Sequence, residues 1–355
     1  MQITISPIHK TFFSGRKWMG LDVEKIKDIL LKNGHQVQIL DFSQIALDYE
    51  LLPVNSCLFY TSSYNENYLQ YIKDVIFVIS QTRPDIILFP DINQLFSFED
   101  KGYQELYKRR IGLKHVFGKY YGDIEELIND NDKLSYPFVL KKNKGAKSSG
   151  VRLIKSDKEL NSFLKNERKE SFLAKLIMML KKRNSFRKKL NLKAVHGLPE
   201  INWSKFFSKR TPVVTQSFID GLDCDYKILV FGEKYYSLQR KTRDKDFRAS
   251  GSGKFSWTVP PTEVLVFAKK ITEKMNTPLI SLDIGIDKSN KCYLFEFQGI
   301  GFGPVTLTAS DKYFHFVNGS WQKTEATSEL ETEYASTINY HLNRLNENNQ
   351  TIHIS

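Results

Sequence analysis

Hydrophobic positions along the first ninety residues alternate between short continuous runs and longer stretches with helical spacing. The runs are typical of buried strands, and the spaced stretches are typical of helices that pack one face on a sheet. The predicted strands cover 1–8, 35–42, 56–63 and 84–90, and the predicted helices cover 18–32 and 68–80. Strands that alternate with helices in this way indicate a parallel, doubly wound α/β sheet, with binding loops beyond the carboxyl ends of its strands.

The rest of the chain has a mixed α+β pattern. After a predicted helix at 101–112, strand-like segments flank a glycine-containing loop, and a further helix should begin at Ser156, with Glu159 three residues on. From residue 212 strands dominate, interrupted by one predicted helix at 261–275. Beyond about residue 310 the pattern predicts only mixed helix and loop. The predicted domains are 1–98, 99–211 and 212–355.

Positive charge is concentrated in one segment of the chain. The net charge is +12, and residues 165–193 contribute +9 of it, from eleven Lys or Arg and two Glu. This segment belongs to a predicted helical insertion at about 161–211 that has a basic face and an apolar stripe. The stripe consists of Phe172, Leu176, Met179, Phe186 and Leu190.

Two interpretations of the basic segment 165–193 remain open. The first is a surface helix that packs its stripe on the protein, which is favoured because such basic faces are common. The second is a helix that contacts an anionic polymer or a membrane surface. Nucleic acid is disfavoured as a partner, because few aromatic residues lie among the basic ones and no RNA-binding motif is present.

Cysteine usage and hydropathy indicate in which cellular compartment the protein is expected. Cys57, Cys224 and Cys292 are far apart and form no CxxC pair, which argues against a disulfide framework or a zinc ribbon. The first residues lack the pattern of a secretory signal, and no uncharged apolar run approaches the roughly 18 residues that a spanning helix needs. We therefore expect a soluble, cytoplasmic protein, peripheral at the inner membrane face if the basic segment binds lipid.

Acidic side chains within two neighbouring apolar segments form a candidate metal site. Asp283 stands between Leu282 and Ile284, and an acid in an apolar strand is costly unless it is paired or bound to a metal. Glu296 and Gln298 are two residues apart on the next predicted strand and share a face, which a hairpin would bring beside Asp283. Two carboxylates and an amide oxygen suit Mg²⁺ that carries nucleotide phosphates. An ordinary salt-bridge cluster is the alternative.

Two further segments suggest nucleotide contacts. Residues 138–154, "FVLKKNKGAKSSGVRLI", place a loop of small residues between two strands, where backbone N–H groups can approach phosphates. The loop matches neither GxxxxGK[ST] nor GxGxxG, and a plain hairpin turn is the alternative. Residues 215–232 lead from a strand end to Asp223 and Asp225, where extended backbone can pair with an adenine edge and an acid can bind ribose hydroxyls. A simple turn is the alternative there.

The order of these segments resembles the ATP-grasp superfamily. The pattern is a lysine before a helix, a strand–lysine–small loop–strand unit, a Q-x-F-I strand end, an arginine-bearing strand, and a final Asp and Glu-x-Gln. The resemblance covers about residues 99–305 and is closest to the ribosomal-protein glutamate ligases and related carboxylate–amine ligases. Asp225, Lys227, Val230 and Gly232 stand at the spacing of the D-x-R-x-x-V-x-G motif of that branch.

A second motif supports the same resemblance. "DFRASGSGKF", which begins at Asp246, is similar to the DFRAS or DFRAN segment of that branch and of ATP-grasp proteins found with surface-polysaccharide genes. The resemblance implies a Rossmann-like preceding domain in residues 1–98, followed by an ATP-grasp fold of two α+β lobes.

The resemblance also implies roles for individual residues. Nucleotide contacts fall to Lys101, Lys141, the loop residues Gly145, Ala146, Ser148, Ser149 and Gly150, the hinge residues Gln216, Phe218 and Ile219, and either Asp223 or Asp225 for the ribose. Contacts to phosphate and acyl phosphate fall to Arg240 and Arg248, and the metal ligands are Asp283, Glu296 and Gln298.

The implied activity is ATP-dependent formation of an amide from a carboxylate and an amine through an acyl phosphate. Two Mg²⁺ ions are expected, with Mn²⁺ as a substitute, and homo-oligomers are frequent in the superfamily. The first substrate expectation is a uronic-acid sugar of a surface polysaccharide joined to an amine or amino acid. A peptide-type ligase that joins amino-acid-like molecules is the second.

Three departures from the branch keep another class open. The branch usually has Asn in place of Gln298, Arg in place of Lys227 and Glu in place of Ser217. A nucleotide-binding protein without ligase activity is therefore a further alternative.

Overall fold

The structure is a computed structural model that describes residues 1–16, 19–113, 118–130, 134–144, 150–165, 210–244 and 246–352. These residues divide into two compact units. The first unit lies within Met1–Val116 and Ile219–Ser355, and the second within Phe117–Gly145 and Ser149–Phe218. The predicted division into three domains stays a prediction. Gly145, Ala146, Ser148, Ser149 and the basic segment beyond Lys165 lie outside the described residues.

A parallel sheet forms the amino-terminal part of the first unit, as the alternating pattern predicts. In chain order the elements are β1 (Gln2–Ser6), β2 (Phe12–Arg16), β3 (Met19–Leu21), α1 (Val23–Lys32), β4 (Gln36–Ile39), α2 (Phe42–Leu47), β5 (Cys57–Tyr60), α3 (Glu66–Thr82), β6 (Ile87–Phe89), α4 (Ile92–Ser97) and α5 (Lys101–Arg110). The strand order among the described residues is β4-β1-β5-β6. The first helix begins later than predicted, because β2 and β3 form a hairpin and the Asp22 carboxylate caps α1 by accepting the Lys25 N–H.

An antiparallel sheet forms the second unit. Its elements are β7 (Gly118–Tyr121), α6 (Ile124–Asn129), β8 (Phe138–Lys142), β9 (Val151–Ile154), α7 (described over 157–165) and β10 (Val213–Ser217). The strand order is β7-β10-β8-β9 within the described part of the chain. The predicted start of α7 is confirmed, because the Glu159 N–H donates to the Ser156 hydroxyl at 3.4 Å.

A largely antiparallel sheet forms the carboxy-terminal part of the first unit. Its elements are β11 (Cys224–Phe231), β12 (Lys234–Lys241), β13 (Phe255–Ser256), α8 (Thr262–Met275), β14 (Leu279–Ile286), β15 (Cys292–Gln298), α9 (Val305–Thr308), β16 (Lys312–Val317), β17 (Ser320–Glu325) and α10 (Leu330–Ile352). The described strands follow the order β15-β14-β11-β12-β16-β17, with β13 beside β12. The tail expected to be mixed helix and loop instead contains the β16–β17 hairpin and the long helix α10.

One apolar core joins the two parts of the first unit. Ile3 and Phe59 of the parallel sheet pack in the same cluster as Phe231 of β11 and Ile338 of α10. No helix within the described ranges is both long enough and apolar enough to span a bilayer.

A buried glutamine adds a polar link between the same two parts. Gln94 of α4 donates from Nε2 to the Thr277 hydroxyl at 2.5 Å and to the Leu279 carbonyl, where β14 begins, at 2.7 Å. Gly299, directly after β15, lies so close that a Cβ there would stand 2.5 Å from Cδ of Gln94. The loop after β15 therefore needs glycine for close approach to α4.

We expect Gly299→Ala to destabilise the protein by roughly 1–3 kcal/mol, because Gln94 cannot move aside without breaking its hydrogen bonds to Thr277 and Leu279. Gly303→Ala is the matched control, since a Cβ at that position meets no atom within 4 Å. The control should stay within about 0.5 kcal/mol of the wild type. Urea unfolding of both variants measures the difference, and equal midpoints would contradict the packing argument.

Candidate functional site

Charged side chains from β11, β12, β14 and β15 line one face of the carboxy-terminal sheet. Asp225 lies opposite Arg240, and Lys227 lies opposite Asp283. Asp283 in turn lies opposite Glu296, which confirms the hairpin expected from the sequence. Directly opposed residues, and residues two apart on one strand, project from the same face of a sheet. The strand register therefore gathers these five side chains.

Four of them, Asp225, Lys227, Arg240 and Asp283, form an ionic network that we call the four-charge cluster. Asp225 and Arg240 are buried, and Lys227 and Asp283 are half-buried. The Arg240 guanidinium donates from Nε and Nη2 to the two oxygens of Asp225, at 2.6 and 2.8 Å. Its Nη2 also lies 2.8 Å from Oδ2 of Asp283. Nζ of Lys227 is 3.6 Å from Oδ1 of Asp283. That oxygen is buried and has no hydrogen-bond partner among the described residues.

The two acids of the four-charge cluster differ in their ease of ionisation. Burial alone would raise the pKa of Asp283, but Arg240 and Lys227 outweigh it and hold that pKa below its ordinary value. Burial raises the pKa of Asp225 to about 6, although Arg240 opposes it and the charge of Asp283 adds to it. The difference follows from the count of neighbouring cations, since Asp283 contacts both cations and Asp225 is hydrogen-bonded to Arg240 alone.

Arg248 lies in the loop between β12 and β13. Its Nε is 3.1 and 2.8 Å from the two carboxylate oxygens of Asp246, its Nη2 is 2.6 Å from the second, and its own N–H donates to the first at 3.1 Å. The Arg248 carbonyl accepts the Arg243 N–H at 3.1 Å. Gly251 and Gly253 of the same loop have φ of 73° and 72°, a conformation that explains two glycines in the Ser-Gly-Ser-Gly run.

The two candidate ribose acids have different surroundings. Both oxygens of Asp225 are taken by Arg240, and the side chain is buried. Asp223 is exposed, just before β11 begins. Of this pair, only Asp223 has its side chain directed to solvent.

Lys101 is the first residue of α5, in the first unit, and Glu99 lies near it. Burial raises the pKa of Glu99, Lys101 opposes the shift and Glu296 adds to it. Glu99 also has a left-handed backbone, with φ of 55°, directly after α4. These couplings place both Lys101 and Glu296 within electrostatic reach of Glu99.

The second unit carries the remaining described candidates. Lys141 of β8 lies opposite Val214 of β10, two residues before Gln216, so Lys141 and Gln216 share a face of this sheet. Both side chains are buried. The Gly150 carbonyl accepts the Lys142 N–H at 3.0 Å, and a Cβ on Gly150 would stand 2.9 Å from Cβ of Lys142. Phe218, the last residue of this unit, follows β10 and is half-buried, and so is Ile219, with which the chain returns to the first unit.

Comparison with known proteins gives matches among solved structures. No protein-family model matches the chain, and no curated protein sequence matches it. D-alanine–D-alanine ligase from Bacillus anthracis is 13% identical with a TM-score of 0.50, over 97% of this chain and 96% of that one. D-cycloserine synthetase DcsG is 10% identical with a TM-score of 0.51, over 96% and 100%. The ATP-grasp ligase PsnB, solved with its minimal precursor, is 12% identical with a TM-score of 0.51, over 95% and 98%.

This chain has the ATP-grasp fold. The fold class expected from the sequence is confirmed, with a parallel α/β sheet first and α+β segments after it. Because the identities are so low, the likeness establishes the fold alone, and activity has to be argued from the site residues.

The site residues of this ATP-grasp chain can be tested for their fit to a divalent cation. Within the described ranges, no three His, Cys, Asp or Glu side chains converge to bind a metal by themselves. Asp283 and Glu296 offer two carboxylates, Gln298 offers an amide oxygen two residues along, and Oδ1 of Asp283 lacks a hydrogen bond. Magnesium in proteins is usually held by one or two carboxylates with substrate phosphates and water completing its shell. The donor set fits a magnesium ion that arrives with a nucleotide.

Two residues of this site were missed by the sequence analysis. Glu99 stands next to the motif that contains Lys101, and its signal is the left-handed backbone, which no local sequence feature reveals. Gln104 of α5 hydrogen-bonds to the backbone of β15, 193 positions away. Contacts at such separations have no signature in a single sequence.

Arg240→Met should destabilise the protein by about 3–5 kcal/mol at pH 7, because it leaves two buried carboxylates without their shared cation. Arg248→Met is the control, and we expect it to cost under about 1 kcal/mol, since the Arg248–Asp246 pair is partly exposed. Urea unfolding measures both.

The loss of unfolding free energy caused by Arg240→Met should become smaller as the pH falls from 7 to 4. In the folded wild type Asp225 already takes up a proton in this range, because its pKa is about 6, whereas the pKa of Asp283 is lowered by Arg240 and Lys227. Without the guanidinium, burial raises the pKa of both acids further, so the folded variant takes up more protons than the folded wild type does. Because this extra proton uptake favours the folded state of the variant, the difference in free energy of unfolding between wild type and variant should become smaller as the pH falls. A deficit that stays constant over this range would show that Arg240 does not compensate these acids.

Proposed function

We propose that this protein is an ATP-dependent carboxylate–amine ligase that forms an amide through an acyl phosphate. The observation that carries the proposal is the register of Lys227, Asp283 and Glu296 on adjacent strands, with one buried Asp283 oxygen left unbonded. Oxygen donors beside fixed cations are what phosphoryl transfer requires, since the reaction needs charge neutralisation more than acid–base groups. The ATP-grasp fold supports the same class of reaction.

The proposed chemistry has two balanced steps. A carboxylate oxygen of the first substrate attacks the γ-phosphorus of ATP, and the bond to ADP breaks. The amine nitrogen of the second substrate then attacks the acyl carbon, phosphate leaves, and the nitrogen loses a proton to give the amide. When bound, Mg²⁺ supplies neutralisation of phosphate charge, and Asp283, Glu296 and Gln298 are the residues that would hold it.

We assign roles to other residues from their contacts and from the resemblance to ATP-grasp ligases. Arg240 holds Asp283 in place, because its guanidinium is committed to the two acids of the four-charge cluster. We assign the acyl-phosphate contact to Arg248, whose planar fork suits a phosphate-like anion. Of the two ribose candidates, Asp223 is the better assignment, since Asp225 has no free oxygen. In the second unit, we assign Lys141 and Gln216 to the nucleotide.

The substrate pair is proposed from the basic segment 165–193. Its charge of +9 favours an anionic first substrate, and a uronic-acid sugar of a polysaccharide supplies both the carboxylate and the repeated negative charge. Amino-acid-like substrates, as in a peptide-type ligase, are the second candidate.

Asp283→Asn should lower ADP release by about 100-fold or more in a screen that pairs carboxylates with amines in the presence of Mg²⁺. Asp287→Asn is the matched control. This acid lies in the turn of the β14–β15 hairpin, and among the described residues its carboxylate bonds to Ser289, Lys291 and Tyr293, so we expect wild-type rates.

Three results would change the proposal. Substantial turnover in Asp283→Asn would remove the metal assignment. ATP binding by the wild type without substrate-dependent ADP release would support the nucleotide-binding alternative. ADP release without a carboxylate would indicate an ATPase rather than a ligase.

Removal of residues 166–193 tests the substrate class. We expect the KM for an oligomeric uronic acid to rise at least several-fold while the KM for ATP stays within about twofold, because screened charge attraction acts on the polyanion. A matched variant with the basic residues of this segment changed to Gln separates charge from length. Unchanged KM for the oligomer in both variants would remove the polyanion from the proposal.

A further inference from the structure

Gln104 is a buried amide in the middle of α5 with both ends hydrogen-bonded. Its Nε2 donates to the Ser97 carbonyl at the end of α4, at 3.1 Å, and its Oε1 accepts the Phe297 N–H of β15, at 3.4 Å. The side chain is 3% exposed. A buried amide that loses either partner leaves an unsatisfied polar group, which is costly in the protein interior. Gln104 therefore ties three elements of the first unit together.

The Phe297 N–H belongs to a strand at the edge of its sheet. Among the described strands, β15 pairs with β14 on one side, so its other edge has no strand partner. The Phe297 ring packs against Tyr107 of α5, with centroids 5.9 Å apart. The same helix thus fixes both the backbone of Phe297, through Gln104, and its ring, through Tyr107 one turn later. An edge strand without such a brace would be freer to twist.

The position of Phe297 matters because it lies between Glu296 and Gln298. Side chains alternate along a strand, so these two oxygen donors project from the face opposite the Phe297 ring. A rotation of the strand at Phe297 would swing both donors away from Asp283.

We propose that Gln104 is a positioning residue that holds β15 so that Glu296 and Gln298 present their oxygens to a divalent cation. The inference rests on the metal assignment made under the proposed function. Partners that orient a metal ligand without touching the metal typically change metal affinity by 10–100-fold when they are removed.

The test compares three variants of the full chain. Gln104→Met keeps the shape and removes both hydrogen bonds, whereas Gln104→Glu keeps the oxygen that accepts the Phe297 N–H. Ile76→Val, in the separate core of α3, controls for a general loss of stability. Mn²⁺ binding is measured by water-proton relaxation, with a non-hydrolysable ATP analogue at one fixed concentration. Should Gln104→Met fail to fold, Gln104→Asn replaces it, since the shorter amide cannot span both partners.

We expect Gln104→Met to weaken Mn²⁺ binding about 10-fold or more, Gln104→Glu to stay within about threefold of wild type, and Ile76→Val to match wild type. Wild-type affinity in Gln104→Met, or an equal loss in Ile76→Val, would overturn the inference and leave the metal assignment intact. A wild-type protein that binds no Mn²⁺ would overturn both. ADP release by the wild type then decides separately whether the ligase proposal survives.

Discussion

The Arg240 guanidinium, shared between two buried carboxylates, constrains the whole carboxy-terminal sheet. Asp225 and Asp283 sit on different strands, and each would be costly to bury alone. Arg240 can satisfy both only if β11 lies between β12 and β14 in the observed register, because a slip of one residue would turn one acid to the opposite face. Charge pairing and strand pairing therefore specify the same arrangement, and Glu296 is carried into place with Asp283.

The local pattern of apolar and polar residues predicted much of the fold. The alternation of apolar runs and helical spacing predicted the parallel sheet, and the Ser156 cap and the Asp283–Glu296 hairpin were each predicted from a few residues. These features depend on neighbours close in sequence. The β2–β3 hairpin and the β16–β17 hairpin were missed, since their short strands carry no strong alternation. The length of α10 was missed because its polar face weakens the apolar signal, although Ile338 and Leu342 of that helix are buried in the core.

The contacts among the site residues could not be predicted from the sequence. The resemblance treats Asp225 and Arg240 as separate contacts for ribose and phosphate, and no motif says that they bond to each other across two strands. Gln94 and Gln104 give a second case. Each looks like an ordinary polar helix residue, yet each is buried and bonded to backbone more than 180 positions away. Burial of an amide is decided by tertiary packing, so its meaning appears only in three dimensions.

Because of Lys227, Asp283 contacts two cations, whereas Asp225 is hydrogen-bonded to Arg240 alone. A guanidinium at the position of Lys227 would bring a second planar fork toward Asp283 and could bond the oxygen that Arg240 leaves open. The lysine ammonium instead stands 3.6 Å from Oδ1, where its charge helps to hold the pKa of Asp283 below its ordinary value. Asp283 thus has one oxygen held closely by Arg240 and one held only by a longer ion pair. Because Arg240 already contacts the other oxygen, Oδ1 is the atom of Asp283 that the cation of the proposed function would approach.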